Sequence, residues 1–347
     1  MTAVNSRALA AEAKAAATAA AVAGSNWRLT WDRGQADVFA TGGSLHNLVF
    51  RLDNGCAVAP LAEAPWIGDP SVGTDASIPA HLHQLGGEWA CVPFGTAMVD
   101  PLHHGFGTDN AWHAVEQAAD AITLAIDYPE HHPIKSLERR LIGVAGQAAI
   151  AIELTVEART QCILPVGLHP IFRLPEEGRG MRLDPGPFVR GYTFPKVFEP
   201  GVSRLRPGAE FTSLDAVPLA GEGVADLSRP PADLREEILQ LADVGGCVCI
   251  DYPDDGYRAR LDWNADDFPS LVIWLSNRGR AAPPWSNSFR GIGIEPVNGF
   301  FDDTGLAFHA PADLALGRQF HAGERWTTHY RISASILAAP QHEGPTA

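Results

Sequence analysis

The sequence predicts an all-β protein: one large domain built as a twisted β-sandwich, with a short Ala-rich segment ahead of it. Three observations lead there. From Trp27 onward, apolar and polar residues alternate in short runs with the period of two that a half-buried strand imposes. Turn residues interrupt these runs, and the 34 glycines and 27 prolines among 347 residues match a chain with many tight turns that need φ > 0 or a fixed φ. Beyond the first residues sustained helical periodicity is scarce, so sheets must cover sheets.

The elements follow in order. Residues 1–26, with "TAVNSRALAAEAKAAATAAAVAGSN", read as a helix or a loose tail: alanine favours helix, but an isolated helix this short is marginal in water. The segment lacks the arrangement of a secretory signal. "WRLTWDRGQADVFA" and "SLHNLVFRLDNGCAVAP" read as strands, with Asn54-Gly55 as a tight hairpin turn. "AITLAIDYP" and "AAIAIELTVEAR" continue the alternation. "PPADLREEILQLADV", residues 230 to 244, is the best remaining helical candidate, a short helix or a polar connection. "CVCIDYPDDGYRARLDW" is a second hairpin, turning at Asp255-Gly256; Cys247 and Cys249 share one strand face, where buried free thiols are expected. "SLVIWL" is a further strand. No repeat or compositional break divides residues 27–336, which leaves residues 337–347 as a C-terminal tail.

Composition excludes several classes of function. The net charge of −15, from 41 acidic and 26 basic residues without a basic run, argues against nucleic acid and anionic membrane as partners. No segment has the apolar length of a membrane span. Five scattered cysteines without paired spacing fit a reducing, cytoplasmic compartment. Neither a glycine-rich phosphate loop nor a nucleophile elbow is present, and no cofactor is expected.

Polar groups concentrate in three otherwise apolar stretches: residues 85 to 112, containing "LHHGFG"; residues 166 to 175, "VGLHPIFRLP"; and residues 289 to 303, containing "GIGIEP". In the last, Glu295 precedes Pro296 where an apolar strand ends, and burying a carboxylate there requires a partner or a function. His169 stands between a strand-like run and Pro170. Of His103 and His104, an extended segment would aim only one into a pocket. His81, His83, His113, His131 and His132 lack the spacing and companion carboxylate of a helical zinc motif, so no metal is expected. Trp66, in "EAPWIGD", is either a stacking platform for the apolar face of a ligand or a packing tryptophan.

In this order and at comparable distances, "LHHGFG...W", "GLHPIF" and "GIGIEP" resemble the aldose 1-epimerases of the galactose mutarotase-like superfamily. "WACVPFG" and "LVIWL" resemble segments of its hexose-6-phosphate epimerase branch, and the resemblance spans about residues 27–336. It implies a β-supersandwich whose central groove binds a small-molecule sugar, with Glu295 as general base, His169 as general acid and His104 as a further contact to the sugar. It also implies a sugar-binding aspartate in mid-chain; Gln240 and Asp243 stand in that region. His169 and Glu295 are then expected to face one pocket, roughly one sugar ring apart.

The sequence departs from that branch at two positions where phosphate-holding arginines are typical, now Thr108 and Leu85. The losses point to a free aldose or an acidic sugar rather than a hexose 6-phosphate, since phosphate recognition relies on clustered cations. Arg278, Arg280 and Arg290 near the last loop leave room for a different anion site. The alternative is a non-catalytic carbohydrate-binding or regulatory protein on the same fold.

Overall fold

Alternation and turn chemistry produce the strands where the sequence places them. The computed structural model describes residues 26–337 other than 98, 101, 177, 178 and 313; residues 1–25 of the Ala-rich segment and all but the first residue of the C-terminal tail lie outside the described residues, and Asn26 already belongs to the first strand. Asn26–Trp31, Gly34–Phe39, Ser44–Arg51 and Ala57–Val58 form a four-stranded antiparallel sheet, with Gly55 at φ 82° closing the Asn-Gly turn. The Asp-Gly turn is likewise present, Gly256 having φ 71° between Cys247–Tyr252 and Tyr257–Trp263. Helices among the described residues are single turns, Pro70–Gly73, Ala80–His83 and Phe106–Asp109, besides short 3-10 segments.

Two eight-stranded sheets make the body. One runs from Arg182–Asp184 through Cys247–Tyr252, Tyr257–Trp263, Arg325–Ile336, Ala149–Ala158, Ile134–Gly143 and Ala121–Asp127 to His113–Gln117. Its strands alternate buried and exposed residues, so one face is solvated. Cys247 and Cys249 share a face as expected, but that face is the half-exposed one; Val248 and Ile250 fill the core.

The second sheet is buried on both sides. Its order is Glu210–Phe211, Arg190–Thr193, Glu236–Ala242, Ser270–Asn277, Arg290–Val297, Gly167–Leu168 and Ala90–Cys91, with Ile171–Phe172 also paired to Arg290–Val297. Leu239, Leu241, Leu271, Ile273, Leu275, Ile292 and Ile294 point into the core shared with the first sheet. Ile238, Val272, Trp274 and Val297 point the other way, into an aromatic cluster with Trp66, Trp89, Trp285 and Phe289.

This two-sided burial corrects the reading of residues 230 to 244 as a helix or polar connection. Glu236–Ala242 is a central strand in which every residue is buried. Glu236 and Glu237 disguise it as a polar stretch, yet each is bonded in place. Glu236 accepts hydrogen bonds from Nε1 of Trp274 (2.8 Å) and Oγ of Ser276 (3.0 Å), and Glu237 accepts from the backbone N–H of Arg204 (2.5 Å). Tertiary partners override the local preference.

Candidate active site

The site is built on the aromatic face of the second sheet. In Arg290–Val297 the odd positions face that side, and the register sets Glu295 opposite Val272 and Gly293 opposite Trp274. The Glu295 carboxylate folds back over Gly293, where a Cβ would come within 2.0 Å of Oε1. The strand does not end at Glu295 but runs through Pro296 to Val297. Pro296 is tolerated because N–H groups of Ile294 and Asn298 bond to the carbonyls of Pro170 and Val166, and the alternation places the nitrogen of residue 296 between them, opposite the break between Gly167–Leu168 and Ile171–Phe172.

That break carries His169. Its N–H bonds to the carbonyl of Trp89 at 2.8 Å, while the Pro170 carbonyl accepts from Ile294, so the residue is held from both neighbouring strands. The imidazole stacks on the Trp89 indole, with centroids 4.1 Å apart and planes 15° from parallel. Its Nε2 lies 3.5 Å from Oε1 of Glu295. The two side chains face one pocket and stand closer together than a sugar ring is wide.

Burial dominates the electrostatics. His169 and Glu295 are 5% and 2% exposed, and Nδ1 of His169 and Oε1 of Glu295 have no hydrogen-bond partner. Loss of solvation, with a smaller push from Asp302, holds Glu295 well above the ordinary carboxylate range. Loss of solvation also takes His169 down to about 3, helped by His81 and His103. Burial thus pushes both members of the pair toward their uncharged forms.

The "LHHGFG" segment is a tight turn, not an extended run, and this changes what its histidines do. His104 has φ 65° and Gly105 φ 88°, and a Cβ on Gly105 would strike the carbonyl of Val92. As a result both His103 and His104 line the pocket, with rings 3.9 Å apart. Asp100 knots the turn by accepting from the N–H groups of Leu102 and Phe106. Nδ1 of His104 accepts from the N–H of Gly95 at 3.1 Å, which leaves Nε2 as the protonated donor of a neutral ring. Burial and the neighbouring histidines keep His104 well below its ordinary range. Its ring stands nearly perpendicular to His169, with centroids 4.9 Å apart.

The pocket has a volume of about 460 Å³ including its open mouth. Besides the residues already placed, its walls carry Trp274, Trp285, Arg280, Asp302, Leu85 and His81. His81 is oriented by Asp109, which accepts from its Nδ1 and from its backbone N–H, both at 2.8 Å. Sequence reasoning did not assign Trp89 or the His81–Asp109 pair to this site, although Trp89 stands in "WACVPFG" and His81 among the histidines weighed for a metal; Arg280 was one of three arginines considered for an anion site.

Two expected sugar contacts lie elsewhere. Trp66 is in the aromatic cluster behind Trp285, centroids 5.5 Å apart, with its Nε1–H bonded to the carbonyl of Leu82; it packs rather than presents a stacking surface. Gln240 is buried with its amide committed, donating to the Gly299 carbonyl (2.9 Å) and accepting from Phe301 N–H (2.6 Å). It holds the loop leading to Asp302 instead of lining the pocket. Asp243 is exposed in a turn at φ 56°.

No family profile and no curated protein sequence matches this chain. Solved structures do. A putative aldose 1-epimerase from Escherichia coli K12 superposes with a TM-score of 0.62 at 14% identity, over 90% of this chain and 99% of that one. The GalM/aldose epimerase homologue from C. elegans gives 0.60 at 14%, over 90% and 99%. A galactose mutarotase-like protein from Lactobacillus casei gives 0.59 at 17%, over 89% and 100%. The fold is thus the galactose mutarotase-like β-sandwich.

Proposed function

We propose that this chain, with its galactose mutarotase-like fold, is a sugar mutarotase that interconverts α and β anomers by acid–base opening of the pyranose ring. The observation that carries the reading is the 3.5 Å approach of His169 Nε2 to Glu295 Oε1 at the wall of one pocket. Ring opening removes a proton from the C1 hydroxyl and delivers one to the ring oxygen. Both oxygens are bonded to the same carbon, so the base and the acid have to stand close together.

Glu295 takes the proton from the C1 hydroxyl and His169 protonates the ring oxygen; rotation about C1–C2 and the reverse transfers close the ring on its other face. A neutral carboxyl–imidazole pair, which burial favours, and the reactive carboxylate–imidazolium pair hold the same number of protons. Moving one proton from Glu295 toward His169 arms the site, and hydroxyl donors of a bound sugar stabilise the resulting carboxylate. His104, protonated at Nε2, donates to a sugar oxygen, and the indole walls accept the apolar face of the ring.

The test is anomer exchange followed by NMR on neutral aldoses, uronic acids, sulfonated sugars and sugar phosphates, with intact protein and Glu295→Gln. Accelerated exchange that the variant lacks is the expected result. Binding without acceleration on any sugar would move the chain to the non-catalytic carbohydrate-binding class.

A further inference from the structure

Arg278, Arg280 and Arg290 lie close together in sequence, and the fold separates them. Arg290 turns to the Pro175 carbonyl and the Asn277 side chain, and Arg278 is not among the pocket residues. Arg280 alone of the three reaches the pocket wall. Its Nε lies 3.0 Å from Oε1 of Glu236, a carboxylate with no exposure that Trp274 and Ser276 also hold. The guanidinium sits among three rings, with Cζ 4.6 Å from Trp285, 5.2 Å from Phe198 and 5.4 Å from Trp274. The charge of Glu236 and the aromatic faces hold the guanidinium, although Nε makes no hydrogen bond, and Nη1 and Nη2 are without protein partners among the described residues, on a pocket-lining side chain that is 28% exposed. This is a pre-oriented two-toothed donor.

We infer that Arg280 selects an aldose whose exocyclic substituent at C5 carries a single negative charge, as a carboxylate or a sulfonate. The inference rests on the mutarotase reading and names its substrate class. Trp274 links the two ends of the pocket, with the His169 ring centred 6.1 Å from its own and Arg280 at 5.4 Å. A pyranose held at C1 by Glu295 and His169 therefore extends its exocyclic group along that indole toward the guanidinium. The charge balance favours one negative charge over two: a single cation, already facing buried Glu236, shares the wall with the Asp302 carboxylate, which lies 3.6 Å from His103. Leu85 lines the pocket without charge and Thr108 is buried, bonded to the His104 carbonyl, so neither replaces a second cation.

The experiment compares anomer exchange of glucuronate, a 6-sulfonated glucose, glucose and glucose 6-phosphate by NMR, together with calorimetric titration of glucuronate, for intact protein, Arg280→Met and Arg280→Lys. The intact protein should show kcat/KM at least tenfold higher for the carboxylate or sulfonate than for glucose or the phosphate. In Arg280→Met that preference should fall at least tenfold, mainly through KM; Arg280→Lys keeps the charge but loses the fork, and should recover only part of it. Thermal unfolding of both variants establishes that they are folded. Glucuronate binding that depends on Arg280, without exchange on any sugar, would uphold the recognition and overturn the mutarotase reading. Equal preference in the variants, preference for glucose or the phosphate, or neither binding nor exchange of the acidic sugars, would overturn the inference.

Discussion

Nε2 of His169 and Oε1 of Glu295 lie 3.5 Å apart, although 126 positions separate the two residues in the chain and neither is more than 5% exposed. A carboxyl and an imidazole so placed, with the carboxyl oxygen accepting no hydrogen bond, contribute little to folding and are suited to exchanging protons with a ligand. Glu295→Gln is expected to lower anomer exchange by ~10²–10⁴-fold while leaving the melting temperature unchanged or higher, because a neutral amide is cheaper to bury than an unpaired carboxyl. Loss of fold with loss of exchange would contradict this.

The pair also gives stability a pH signature. Above the ordinary carboxyl value of 4.5 and up to its higher folded value, Glu295 holds a proton that the unfolded chain releases, so its contribution to stability falls as pH rises through that window. His169 does the opposite: between about 3 and 6.5 the unfolded chain holds a proton that the native ring lacks, and stability rises with pH. Melting temperatures measured against pH should show the decline above about 4.5 flattened in Glu295→Gln. The rise between about 3 and 6.5 should be flattened in His169→Asn.

Gly293 has no left-handed backbone to protect, yet a Cβ there would sit 2.0 Å from Oε1 of Glu295. Gly293→Ala should therefore displace the carboxylate while leaving the strand intact. A displacement of about 1 Å at a reacting group can cost ~10²-fold in rate, and this loss is expected in kcat with an unchanged circular dichroism spectrum.

Glu88, next to Trp89 in the chain, belongs to a buried charge network. Glu88 and Arg139 are both fully buried; Nη2 of Arg139 bonds to Glu88 at 2.5 Å and to the Tyr330 hydroxyl at 2.8 Å, and that hydroxyl donates back to Glu88 at 2.6 Å. Arg139→Met strands the carboxylate and should cost about 3–5 kcal/mol in denaturant unfolding. The double variant Glu88→Gln/Arg139→Met should cost less than the two single changes together.

Gln240→Leu tests the role the fold gives that residue. It leaves the Phe301 N–H and the Gly299 carbonyl without their buried partner, at about 1–3 kcal/mol for each unsatisfied group. The loop they belong to carries Asp302, so KM for the sugar should rise. An unchanged unfolding midpoint would exclude a loop-holding role.

By itself the sequence determined what depends on neighbours along the chain. Period-two alternation and the Asn-Gly and Asp-Gly turns specify strands and hairpins locally, so the all-β class was legible. His104, His169 and Glu295 stood out because a titratable side chain within an apolar run is unusual wherever the run ends up. Tertiary structure decided everything that depends on residues distant in sequence. Burial of Glu236–Ala242 on both faces erases the alternation that would have identified a strand. The left-handed turn at His104 brings in His103, against the extended reading. Packing put Trp66 behind Trp285, and strand register with the Glu236 anchor chose Arg280 from three nearby arginines. The physical reason is common to all of these: local pattern sets which way a side chain points from its own strand, whereas only the assembled sheet sets what stands opposite it.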